Sequence, residues 1–134
     1  MQIPSRIPGL KPATILLGIY AIVWISLEGR LEREIIMGVS VTAVILLHLL
    51  QKRFSGQRLS LKAWLKITAV FGLLGGLASG PLTLIAMIIK TGLHDHGPEF
   101  TLLEFHWVGQ QIPLWSVVGL LMGIGLGMLI ANQK

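Results

Sequence analysis

Apolar residues come in four long runs separated by short polar segments, and each run is long enough to be a helix rather than a strand. The first runs from about 12 to 27, the second from about 35 to 50, the third from about 63 to 89 and the fourth from about 113 to 131. Runs of this length with so few charges predict transmembrane helices. Pro12 fits the first turn of the first helix, where its missing N–H is no loss, and Ser60 is placed to cap the third. Gly80-Pro81 in the third run predicts a kink at Pro81, because proline cannot donate to the helical ladder.

The third and fourth runs carry matching glycine rows. Gly72, Gly76 and Gly80 recur every four residues, as do Gly119, Gly123 and Gly127. Four-residue spacing puts each row on one helix face, which lets a second backbone come close. An antiparallel pair with Gly72 opposite Gly127 would set Gly76 against Gly123 and Gly80 against Gly119. The expected fold is therefore an all-α integral membrane protein of four transmembrane helices in two hairpins, its third and fourth helices joined by a glycine zipper.

Composition supports this class. The chain has 134 residues, 53% hydrophobic and only 13% charged, against roughly a quarter charged in soluble domains. One domain is all this length permits. With no cysteine, disulfides, thiolate catalysis and Cys-bound zinc are excluded. The first run lacks a small-x-small cleavage pattern, so it reads as an uncleaved signal anchor.

The net charge of +5 is unevenly spread. The first eleven residues, the segment Gln51–Lys66 and the C-terminus hold eight Lys and Arg with no acid. All six acids lie with Arg30, Arg33 and Lys90 in the other two connections. Basic residues favour the cytoplasmic side, so both termini are expected there, and the charge serves membrane orientation rather than nucleic-acid binding. Trp24, Trp107 and Trp115 would then mark the outer interface and Trp64 the inner one. The segment before Pro12 reads as a loose tail, and Glu28–Glu34 as a mixed-charge surface connector.

Candidate chemistry is sparse. In the longest connection, His94, Asp95 and His96 lie near Glu99, Glu104 and His106. Imidazoles and carboxylates suit a divalent metal, but the same residues equally read as a structural loop or a docking surface. Pro98 is expected to open a short helix lying flat on the membrane, with Pro113 starting the fourth span. His48, near the end of the second span, is a candidate haem or pigment ligand, although no second histidine lies at its depth. Lys90 can neutralise helix-end carbonyls or pair with Glu99 or Glu104. No acid falls inside the four proposed spans, which argues against proton-coupled transport. No hydrolase, phosphate-loop or metalloprotease motif is present either.

The stretch Lys90–Phe100, leading to Pro113-Leu114-Trp115 and the glycine-rich last run, resembles small uncharacterised four-helix membrane proteins of cyanobacteria. The resemblance covers mainly the C-terminal half. It implies a bacterial plasma or thylakoid membrane, and brings no activity, cofactor or catalytic residue.

The function expected is a non-enzymatic accessory or assembly subunit, partnered by the lipid bilayer and by a membrane-protein complex or copies of itself. The alternative is a metal- or pigment-binding protein using the histidine loop or His48. An oligomeric transporter or channel ranks below both.

Overall fold

In the computed structural model, residues 3–93 and 97–132 are described, and among them the regular structure is all helical. The helices are α1 (Leu10–Ser26), α2 (Leu31–Phe54), α3 (Leu61–Leu93) and α4 (Leu102–Ala131). The last three are long and apolar enough to cross a membrane, while α1 is apolar but has 17 residues. At 1.5 Å per residue, α1 is about 25 Å long, somewhat short of a hydrocarbon core of about 30 Å.

Local chemistry sets the boundaries. Gly9 takes a left-handed conformation (φ +81°) just before α1, and its carbonyl accepts the first helical bond from Ala13. Helix α2 carries Glu32 and Glu34 in its first turn and Lys52 and Arg53 in its last, each sign matching the helix dipole. Ser60 caps α3 through a hydrogen bond from the Ala63 amide (3.2 Å), as its position predicts.

Helix α4 departs from expectation. It starts at Leu102, where Thr101 and Glu104 form a reciprocal capping box, and it runs unbroken through Pro113. Thr101 N–H donates to Glu104 Oε2 at 2.7 Å. One helix thus replaces the expected flat helix followed by a span beginning at Pro113. Helix α3, expected as one span with Pro81 inside it, is one helix that contains Pro81.

The N-terminal segment is also ordered where a loose tail was expected. Ile3 is buried and exchanges backbone hydrogen bonds with Gln57 (3.1 Å) and Gly56 (3.0 Å) in the α2–α3 connector. The Ile7 amide donates to Gln51 Oε1 at 2.8 Å, and Ser55 Oγ donates to the Ser5 carbonyl.

Helix α3 is the centre of the bundle, packed against α4 on one side and α2 on the other, with α1 against α2. Glycine sets the α3–α4 distance. A β-carbon on Gly72 would overlap the Gly119 carbonyl and lie 2.8 Å from Gly123 Cα; one on Gly76 would overlap the Trp115 backbone and lie 2.7 Å from Ser116 Cα. Gly80 faces Ile112, while Gly123 and Gly127 face Thr68. The expected pairing of Gly72 with Gly127 is therefore displaced by roughly two turns. The Trp64 indole, which donates to the Gly127 carbonyl at 2.9 Å, bridges the two helices in the observed register.

Helices α2 and α3 meet where Gly38 lies on Thr83: a β-carbon there would be 2.6 Å from the Thr83 amide nitrogen. Hydroxyls within the helices return their protons to the carbonyl four residues back, as in Thr42 to Gly38 (2.7 Å), Ser79 to Gly75 (2.7 Å) and Thr83 to Ser79 (2.8 Å). Each is satisfied within its own helix, as an apolar surround requires. The outer faces are the reverse of a water-soluble protein's, with Leu16 66% and Ile22 71% exposed. This surface is compatible with a membrane protein.

Candidate functional site: buried charges at one end of the bundle

The strongest concentration of chemistry lies where the end of α1, the start of α2, the end of α3 and the segment before α4 converge. Helical periodicity puts it there. Glu34, Met37, Gly38 and Thr42 form the buried face of α2, and Gly76, Ser79, Gly80, Thr83, Ala86, Met87 and Lys90 that of α3. Both stripes end in a charge, and Glu34 and Lys90 are completely buried.

Lys90 is held by the C-terminal end of α1. Its Nζ donates to the carbonyls of Trp24 and, at 3.0 Å, Ile25, and lies 4.9 Å from the Trp24 ring centroid. A cation is favourable there because the last carbonyls of a helix carry partial negative charge; that of Trp24 otherwise accepts from the capping Leu27 amide at 3.2 Å. The same tryptophan binds the acid, its Nε1–H donating to Glu34 Oε2 at 2.9 Å. Glu34 Oε1 is buried and takes no hydrogen bond among the described residues.

Glu99 closes the cluster from above. Its carboxylate lies on Gly29, where a β-carbon would overlap it and come within 2.8 Å of the Phe100 ring. Lys90, Glu99 and Arg33 all act electrostatically on Glu34. Met87, Phe100 and Val108 form an apolar cluster beside Lys90, keeping the local dielectric low. Tyr20 donates at long range (3.4 Å) to the Arg33 carbonyl, and Arg33 donates to that of Glu28 at 2.9 Å.

Glu34 is the fourth residue of α2 and Lys90 lies three residues before the end of α3, so both sit about 5 Å inside the helix ends. Surface clefts among the described residues are lined by other side chains: two lie where the N-terminal segment meets α1 and α2, and one lies between α2 and α4. The geometry is that of a clasp between four segments.

Those of the other expected site residues that are described lie apart from one another. His94, Asp95 and His96 lie outside the described residues. Glu99 is in the clasp and His106 is exposed on α4. Among the described residues, no group of three or more His, Asp or Glu is placed to hold a metal ion. Glu104 is the capping partner of Thr101. His48 is exposed, with Nδ1 2.9 Å from the Val44 carbonyl. Glu34, expected in a surface connector, is the residue the sequence reading missed. The signal was its three- and four-residue spacing to Met37 and Gly38, which extends the buried face by one turn.

Comparison with protein-family models, curated protein sequences and solved structures gives no match.

Proposed function

We propose that the chain is a four-span integral membrane protein with both termini cytoplasmic, acting as a non-enzymatic accessory or assembly subunit of a larger membrane complex. Charge asymmetry supports the orientation, with the described acids in or beside the helix ends around the clasp and none at the other end. Helix α1 would complete the fourth span by thinning the bilayer slightly or drawing on the snorkelling reach of Lys11. The close glycine contacts support reading α3 and α4 as a zipper-packed hairpin. A bacterial plasma or thylakoid membrane is the proposed location.

The observation that carries the accessory reading is the apolar cleft between α2 and α4, about 790 Å³, floored by Gly72, Gly75, Gly76 and Ser79. It extends along α2 from Ile35 to Leu50 and along α4 from Trp107 to Ile130, a length suited to another apolar helix. A carboxylate does lie within a helix, at Glu34, so absence of an acid no longer argues against transport. Its position near the helix ends, and its absence from the linings of the clefts described above, favours a clasp over a transport site.

Gentle purification of a tagged protein from its native membrane tests the reading. A defined set of co-purifying subunits is expected, with cross-links from cysteines placed at Leu46 or Met122 reaching a partner helix. A protein running alone and uncross-linked would overturn it. Metal or pigment retained on that lone protein would move the assignment to the histidines.

A further inference from the structure

At the end of the bundle opposite the clasp, the N-terminal segment, α1 and α2 enclose two adjoining clefts, of about 720 and 490 Å³, that share Thr14, His48 and Gln51. Arg6 and Lys11 line one and Lys52 the other, with no Asp or Glu in either lining. Among the described residues, the side chains of these three cations take part in no hydrogen bond, ion pair or ring contact. From this basic mouth an apolar wall of Ile15, Val44, Ile45 and Leu49 continues along α1 and α2. The mouth is built, because the Ile7–Gln51 and Ser5–Ser55 hydrogen bonds hold the N-terminal segment against α2.

We infer that these clefts form one binding site for an anionic glycerophospholipid, with the phosphate among Arg6, Lys11 and Lys52 and an acyl chain along the apolar wall. Both halves are needed for the assignment. The cations would suit any phosphate, whereas the adjoining apolar wall gives a reason to bind one that carries a hydrocarbon chain. A basic pocket between helices on the cytoplasmic side is where such a headgroup resides. The inference rests on the membrane orientation proposed above, and does not require a protein partner.

The test is native mass spectrometry of the full chain from nanodiscs of phosphatidylcholine mixed with phosphatidylglycerol. Each cation near an anionic leaflet is worth about a fivefold change in binding. Phosphatidylglycerol should be retained over phosphatidylcholine, and an Arg6→Gln/Lys11→Gln/Lys52→Gln variant should lose this preference by about tenfold or more. An Arg58→Gln/Lys62→Gln/Lys66→Gln variant removes equal charge outside the clefts and should retain it. Millimolar inorganic phosphate should not displace the lipid. Equal retention of both lipids, equal loss in the two variants, or displacement by phosphate would overturn the site. Helical circular dichroism and co-elution with the nanodisc verify that each variant is folded and inserted; failure of the unaltered chain to insert would instead refute the membrane-spanning reading on which the site rests.

Discussion

The glycine-lined stretch of α3 and its Lys90 end are fastened by opposite means. Toward α4, contact is made by removing side chains: Gly72 and Gly76 bring backbone against backbone, and dispersion over a long seam supplies the attraction. At Lys90, contact is made by a few groups of high individual energy, namely an ammonium on two carbonyls and an indole on a carboxylate. The seam tolerates no added volume, whereas the clasp tolerates no unbalanced charge. Distributed packing fixes the distance between helices, and localised polar bonding fixes which ends meet.

That contrast can be broken experimentally. The largest effect is expected from Lys90→Ala, which removes the cation from the α1 carbonyls and its electrostatic support from buried Glu34; leaving a buried charge uncompensated costs about 3–5 kcal/mol. Thermal unfolding in detergent should show it, and adding Glu34→Gln to Lys90→Met should recover part of the loss. Gly76→Val should cost about 1–3 kcal/mol or more by overpacking, since the obstacle is the Trp115 backbone. The control is Gly125→Ala, whose β-carbon meets nothing within 4 Å, and which should be neutral or stabilising by up to about 1 kcal/mol. Equal losses at Gly76 and Gly125 would refute the seam.

Trp24→Phe keeps the ring beneath Lys90 but removes the donor to Glu34, for an expected loss of about 1.5–3 kcal/mol. The smallest effect, about 1 kcal/mol, is expected from Thr101→Ala, which removes the α4 cap. Hydrogen exchange confined to the first turn of α4 would distinguish this loss from damage to the clasp.

The helical class was legible because hydrophobic run length is a local property, and the glycines now seen at the α3–α4 contact stood out by their four-residue spacing. The register was not, because a row repeating every four residues maps glycine near glycine again after sliding by a turn. Contacts outside the rows, such as Trp64 with Gly127 and Gly80 with Ile112, accompany the observed choice. Pro113 was read as a helix start because proline is common there, yet Thr101 and Glu104 cap a stronger start at Leu102, eleven residues before Pro113. Glu34 sat in a run rich in charge, where composition outweighed periodicity. Nothing local to Lys90 identifies α1 as the source of its acceptors.

That last separation has a consequence for synthesis. The Trp24 carbonyl that Lys90 binds is 66 residues upstream, so α1 and α2 emerge from the ribosome well before the cation does. Until then, Trp24 is the partner available to Glu34 within the first two helices. Arrival of the third helix both brings a cation to this pair and occupies the carbonyls at the end of α1, so the contact that fastens α1 to α3 can form only after most of the chain has been made.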